Sequence, residues 1–309
     1  MGTPDFAVPS LKILLDNGYN VVGVITATDK YGGRGKKKLL ESPVKRFAVD
    51  HGIKVLQPEK FRNEEFLDEL RSLNANLQIV VAFRMLPEVV WDMPELGTFN
   101  LHGSLLPKYR GAAPIHWAVI NGEQETGCTT FFIRHKIDTG DMLFQAKMPI
   151  GEDETTGEVH DKMMEVGAEL VLKTVRAIEK DDYELQIQDD SQATKAPKLF
   201  HETCKIDFNQ PVDEVHNFIR GLSPWPVAWT SLGDLELKII KATKEIVDHD
   251  YLPGTLVTDN KKMLKVAAPR GFIHIKRLQL QGKKRMDAVD FLNGNELESG
   301  LVLGQKEDS

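Results

Sequence analysis

The sequence predicts an α/β chain in which a doubly wound, mostly parallel sheet is followed by a smaller β-barrel. Three observations predict it. Continuous apolar runs alternate with amphipathic helical stretches up to Lys180, which is the mark of crossover units in a parallel sheet. The alternation stops between Asp181 and Leu199, where Asp189-Asp190-Ser191 and Ala196-Pro197 read as a linker. Beyond it, one helix precedes short runs at close spacing, separated by Gly and Pro. With 309 residues, two domains are expected, 1–182 and 201–309, joined by a linker over 183–200.

Each element has a local reason. Asp5–Asn17 places Phe6, Leu11, Leu14 and Leu15 at helical spacing, and Gly18 stops it. Asn20–Thr26, with Val21, Val22, Val24 and Ile25, reads as a buried strand, and Ala27–Glu41 as a Gly- and Lys-rich loop. Ser42-Pro43 opens a helix, Ser as N-cap and Pro at the first helical position. Ile53–Leu56 is a short strand, Asn63–Leu73 a helix capped by Asn63, and Leu77–Ala82 an apolar strand. Leu86–Met93 is a short helix, Thr98–Leu101 a strand end and Ala113–Asn121 a helix. Thr126–Arg134 and Met142–Pro149 can add an antiparallel edge, and Thr155–Lys180 is a long helix. In the second half, Val212–Leu222 is a helix stopped by Ser223-Pro224-Trp225-Pro226. Ala228–Leu232, Leu235–Ala242, Thr255–Thr258, Met263–Ala267 and Phe272–Leu280 are strands. That run fits a five-stranded, OB-like barrel, and the first half is Rossmann-like.

Composition narrows the chemistry. A hydrophobic content of 41% with 28% charged residues is ordinary for a globular protein, and no apolar run is long enough to span a bilayer. Two distant cysteines, Cys128 and Cys204, form no Cys-x-x-Cys pair, so a zinc ribbon or redox motif is unsupported and reduced thiols in the cytoplasm are expected. The net charge of −7 hides two basic segments. Asp29–Arg46 is mostly basic, and Lys261–Arg285 carries Lys261, Lys262, Lys265, Arg270, Lys276, Arg277, Lys283, Lys284 and Arg285 with no acid between them. Local basic surfaces on an acidic chain point to a specific polyanionic partner. Gly32–Lys38 is not a Walker loop, because Lys30 and Lys37 stand where Gly and Ser or Thr are needed. A flexible basic loop facing a nucleic-acid backbone is the alternative to a solvated loop.

The richest stretch is Thr98–Asp141. Asn100 and His102 alternate onto one face at a strand end, and Asp138 sits in a tight Asp-Thr-Gly turn. An amide donor, an imidazole and a carboxylate around one point suit acyl transfer: oxyanion stabilisation, proton exchange and support of the imidazole. Spacing alone leaves open the plainer reading, in which His102 caps a strand end and Asp138 shapes its turn. Leu105-Leu106-Pro107 can wall a flat ligand or pack beneath the following helix.

Asn100-Leu101-His102-Gly103-Ser104-Leu105-Leu106-Pro107-Lys108-Tyr109-Arg110-Gly111, together with Asp138-Thr139-Gly140-Asp141, resembles the signature of the folate-dependent formyltransferases. Gly2-Thr3-Pro4-Asp5-Phe6-Ala7, Gly33-Arg34-Gly35-Lys36-Lys37 and Ser42-Pro43-Val44-Lys45 resemble the branch that formylates methionyl-tRNA. The likeness runs over nearly the whole chain. It implies transfer of the formyl group of 10-formyltetrahydrofolate to the free amino group of methionyl-initiator tRNA, without a metal, by a cytoplasmic monomer that binds no membrane. The resemblance assigns catalysis to Asn100, His102 and Asp138. It assigns folate binding to Ser104, Leu105, Leu106 and Pro107, helped by backbone around Phe83 and Leu86. It places Arg34, Lys36, Lys37 and Lys38 toward the tRNA acceptor end. The β-rich domain also holds tRNA in that family, which agrees with Lys261, Lys262, Lys283 and Lys284 on the basic stretch. Two rival readings are a formyltransferase for a nucleotide sugar or purine precursor and a tRNA-binding protein without catalysis. Family members carry a central strand before Gly-Thr-Pro-Asp-Phe, so the resemblance implies a native chain that starts upstream of Met1.

Overall fold

A computed structural model describes residues 1–32, 35 and 38–304. The chain divides into two compact units, the first made of Met1–Pro114, Thr126–Pro149 and His160–Ala196. Ile115–Glu125 and Ile150–Val159 group with Pro197–Ser309 in the second. In chain order, α1 (Val8–Asp16) is followed by β1 (Val24–Ile25), β2 (Lys30–Gly32), β3 (Lys38–Leu40), α2 (Pro43–Asp50) and β4 (Val55–Leu56). Next come α3 (Glu64–Ser72), β5 (Gln78–Val81), α4 (Glu88–Trp91), β6 (Thr98–His102), β7 (Arg110–Gly111) and α5 (Pro114–Ile120). Then follow β8 (Glu125–Phe132), β9 (Met142–Pro149), α6 (Thr156–Glu179) and β10 (Lys195–Ala196).

The helices begin where their caps are. The Ser42 hydroxyl accepts from Lys45 N at 3.0 Å ahead of Pro43, and Asn63 Oδ1 accepts from Glu65 N at 2.8 Å. α6 owes its position to a stripe of Val159, Met163, Val171 and Thr174, all fully buried. Each such apolar side chain contributes roughly 1.5–3 kcal/mol on burial. Thr174 Oγ1 also lies 2.9 Å from Thr130 Oγ1, which ties the helix to β8. A second cluster joins Ile25, Leu56, Phe61, Phe66, Leu67, Leu70, Val80, Leu86 and Val90 on the α3–α4 side.

The sheet is split. β1 pairs parallel with β4, while β5, β6, β8 and β9 form a four-stranded sheet with β5–β6 parallel and β6–β8 antiparallel. Met1 and Gly2 bridge the halves: Gly2 N donates to Ile25 O at 3.0 Å and Val81 N to Met1 O at 2.9 Å. A groove of about 700 Å³ runs on from them, between residues 21–25 and 77–81. The expected strand Asn20–Thr26 is therefore shortened to Val24–Ile25, because Val21 to Gly23 face the groove and not a neighbouring strand. Within the expected loop Ala27–Glu41, the described β2 and β3 pair as an antiparallel ribbon. Arg34, Lys36 and Lys37 lie outside the described residues.

The second unit adds α7 (Val212–Gly221), β11 (Ala228–Leu232), β12 (Leu235–Ile246), β13 (Leu256–Thr258) and β14 (Leu264–Ala268). β15 (Gly271–Leu280), β16 (Met286–Asp287) and α8 (Ala288–Asn293) complete it. Its strands form an antiparallel sheet in the order β11-β12-β15-β14-β13, with β16 on β15. β12 runs four residues past its expected end, through a register shift between Ile239 and Ala242 that bends it. A closed five-stranded barrel is not seen: among the described residues β11 and β13 do not pair. A terminal segment lies across both edges instead. Leu256 N donates to Leu301 O at 2.7 Å, Leu303 N to Gly254 O at 2.9 Å and Gly304 N to Ser231 O at 3.0 Å.

Candidate active site

Strand β6 carries the first two candidate residues. It lies between β5 and β8, with Asn100 in register with Val80 and Phe131 and His102 with Thr129. Asn100 is half-buried, and its amide has no protein partner among the described residues. His102 is buried. Its Nε2 lies 2.9 Å from Tyr109 O. A carbonyl can only accept, so in the neutral ring Nε2 holds the proton and Nδ1 presents a lone pair. Nδ1 faces Asp138 Oδ2 at 3.8 Å.

The Asp138 turn is held in place on both sides. Asp138 has a left-handed φ of +54°, and its carboxylate accepts from Gly111 N at 2.8 Å. Gly140 packs so closely on β8 that an added Cβ would lie 1.7 Å from Phe132 O. Gly111 has φ +129° and likewise admits no side chain, because a Cβ there would lie 2.6 Å from Ala196 O. The structure therefore brings His102 and Asp138 together, with the Gly111 amide on the carboxylate.

The loop after β6 is pinned from beneath. Thr129, fully buried, donates from Oγ1 to Ser104 O at 2.7 Å and accepts from Leu106 N at 3.0 Å. Gln145 Nε2 donates to Leu106 O at 2.8 Å and to Thr129 Oγ1 at 3.0 Å. Leu106 packs on Phe131 and Met142. Ser104 is fully buried and donates its hydroxyl to Lys108 O at 2.6 Å, so it shapes the loop from inside. Leu105 and Pro107 remain half-buried. Phe83 and Leu86 sit apart from this loop's cluster: Leu86 is buried with Val90 and Phe61, and the Phe83 ring meets Phe61 edge-on.

Residues 183–196 of the segment expected as a linker are part of this unit. Gln186 exchanges backbone hydrogen bonds with Met142 at 2.8 and 2.9 Å. β10 pairs parallel with β7, and Tyr109 N donates to Thr194 Oγ1 at 2.8 Å. Sequence reasoning missed Thr129, Gln145 and Gln188, which touch the site through backbone groups and follow no motif spacing.

The basic residues of the second unit are partly compensated in space. His274 and then Lys265 meet Glu245 of β12 and hold the Glu245 carboxyl below its ordinary range. Backbone N–H groups of Met263, Lys262 and Lys261 push the Asp259 carboxyl down to about 2. Lys261, Lys262, Lys283 and Lys284 stay exposed. The antiparallel register puts their two turns toward the same end of the sheet. Lys38 is exposed on β3. No group of His, Cys, Asp and Glu able to hold a metal occurs among the described residues.

Residues 1–175 match the formyl transferase family and residues 198–296 match the formyl transferase C-terminal domain. The chain is 54% identical to the methionyl-tRNA formyltransferase of Bacteroides fragilis, over 98% of this chain and 96% of that one. Against the methionyl-tRNA formyltransferase of Flavobacterium johnsoniae the identity is 52%, over 95% and 94%. Among solved structures, the sugar 3N-formyl transferase WlaRD shares the fold with a TM-score of 0.65 at 23% identity, over 92% of this chain and 97% of that one. An N-formyltransferase of Helicobacter canadensis gives 0.64 at 22%, over the same shares. The site on β6 thus lies in a chain matched in both units: it belongs to the formyl transferase family, in the branch of the methionyl-tRNA formyltransferases.

Proposed function

We propose that the protein transfers the formyl group of 10-formyltetrahydrofolate to the free amino group of methionyl-initiator tRNA, giving N-formylmethionyl-tRNA for translation initiation. One observation carries the reading: the His102–Asp138 pair at the end of β6 stands in a chain related over nearly its whole length to methionyl-tRNA formyltransferases. The folate supplies an activated formyl carbonyl. Half-buried Leu105 and Pro107, on a loop pinned by Thr129 and Gln145, suit the flat ring of such a donor. Ser104 and Leu106 act on that site by fixing the loop, and backbone around Phe83 and Leu86 helps to bind the folate.

The Asn100 amide donates to the formyl oxygen as charge develops on it. The His102 Nδ1 lone pair takes the proton that the attacking amine releases, Asp138 stabilises the resulting imidazolium, and the proton passes to the folate nitrogen as its bond to the formyl carbon breaks and tetrahydrofolate leaves. Holding the neutral amine within about 3 Å of the formyl carbon supplies the rest of the barrier reduction. No metal enters this chemistry.

The first unit, including residues 183–196 of the expected linker, is the catalytic one, and the open antiparallel sheet within 201–309 binds tRNA. Exposed Lys261, Lys262, Lys283 and Lys284 meet tRNA phosphates, as do Arg34, Lys36, Lys37 and Lys38 at the acceptor end. The protein works as a monomer in the cytoplasm. The test is a formylation assay with 10-formyltetrahydrofolate and methionyl-initiator tRNA, beside free methionine and a nucleotide-sugar amine. Turnover of methionyl-tRNA alone is expected; preferential turnover of the sugar amine sinks the reading.

A further inference from the structure

Gln188 lies on the segment after α6 and is 7% exposed. Its side-chain amide uses every hydrogen-bonding position it has. Nε2 donates to Asp138 O at 3.0 Å and to Gly140 O at 2.8 Å. Oε1 accepts from Arg110 Nε at 3.0 Å and Nη2 at 2.7 Å. An amide has two N–H donors and two carbonyl lone pairs, so all four are satisfied. The orientation is unambiguous, since a flipped amide would set N–H against guanidinium and oxygen against two carbonyls.

Both ends of this clamp reach the candidate catalytic pair. Asp138 holds a left-handed backbone conformation, which costs a residue with a side chain some free energy and is favoured when neighbours bind its peptide groups. Gln188 does so by binding the carbonyls of Asp138 and Gly140. Arg110, on the other end, precedes Gly111, whose N–H meets the Asp138 carboxylate at 2.8 Å. The strap is anchored on both sides of Gln188, by Gln186 on Met142 and by Lys195–Ala196 along Arg110–Gly111.

We propose that Gln188 is a positioning residue, which holds the Asp138 carboxylate toward His102 by tying the Asp138–Gly140 turn to Arg110. The role rests on the formyl-transfer reading of the site. Gln188 touches no reacting atom and acts through Asp138.

Gln188→Glu keeps an acceptor for Arg110 but has no donor for the two carbonyls. In the full-length enzyme, with 10-formyltetrahydrofolate and methionyl-initiator tRNA, it is expected to lower kcat about ten- to a hundredfold, the cost of a misplaced group near the chemistry. Both Michaelis constants should stay within about twofold. In an Asp138→Asn background the same change should cost less than about twofold more, because the two residues act as one unit. Additive losses, or a raised folate Michaelis constant with kcat intact, would overturn the proposal. A second measurement needs no substrate: the Gly111 amide hydrogen should exchange about tenfold faster or more by NMR in Gln188→Glu, with the melting temperature little changed. Unchanged exchange would also overturn it. That arm decides the role of Gln188 even if the wild-type enzyme does not formylate methionyl-tRNA. Gln188→Met, of similar length but without the amide, repeats both measurements should the carboxylate prevent folding.

Discussion

His102 has one ring nitrogen committed and one free, and that asymmetry fixes what each neighbour can do. The Nε2 N–H donates to the Tyr109 carbonyl, so proton exchange with a substrate runs through Nδ1, beside Asp138. His102→Ala removes that base and should cut turnover about 10²–10⁴-fold while the protein stays folded. Asp138→Asn can still accept from Gly111 N, but its amide N–H can occupy the Nδ1 lone pair, so a loss of similar size is expected. Steady-state kinetics beside circular dichroism checks both, and near-normal rates would remove these residues from catalysis. Asn100, His102 and Asp138 draw attention because an imidazole and an amide at a strand end and a carboxylate in a Gly turn stand out, yet spacing alone leaves the plainer reading open and the motif resemblance assigns the roles. Gln188 draws none, since a glutamine acting through backbone carbonyls has no spacing signature; only the fold brings it beside Asp138.

Elements were legible where their own chemistry decides them. Ser42-Pro43 and Asn63 cap helices at the expected positions because capping is local. The length of β1 depends on what lies beside it, and so does the closure of the second sheet; neither partner is encoded within the strand itself. The acid-free run Lys261–Arg285 shows the same limit, since its counter-charge at Glu245 comes from the adjacent strand. β8 illustrates an element with two duties. Its Thr129 faces β6 in register with His102 and holds the loop over Ser104–Leu106 through one hydroxyl. Thr129→Val keeps the shape and strands a buried N–H and carbonyl, at a cost of about 1–3 kcal/mol. The folate Michaelis constant should rise and the melting temperature fall; a thermally normal variant with unchanged folate binding would show that the hydroxyl does not hold the loop.

At the scale of the molecule, stability should depend on pH through His216 of α7. This imidazole is 1% exposed, and burial holds its pKa below the ordinary value, only partly offset by Asp153 at 3.4 Å. The unfolded chain takes up a proton near pH 6.5 and the folded one only at lower pH. The contribution of neutral His216 is therefore intact above about pH 6.5 and lost as pH falls toward the folded value. Denaturant melts of the second unit should lose stability between pH 7.5 and 5, with a slope of up to about 1.4 kcal/mol per pH unit from this one proton. His216→Gln should flatten that slope, and an identical slope would assign the effect elsewhere. The strap that carries Gln188 has a consequence for how such a chain can be cut and rejoined. The match to the formyl transferase family in the first unit covers residues 1–175, yet residues 186–196 supply the hydrogen bonds around Arg110, Gly111 and Asp138. A truncation at 175 or 182 would keep each proposed catalytic side chain and discard its scaffold. Chimeras that exchange the β-rich part of the chain between relatives should be spliced after Ala196, so that the site travels with the strap that braces it.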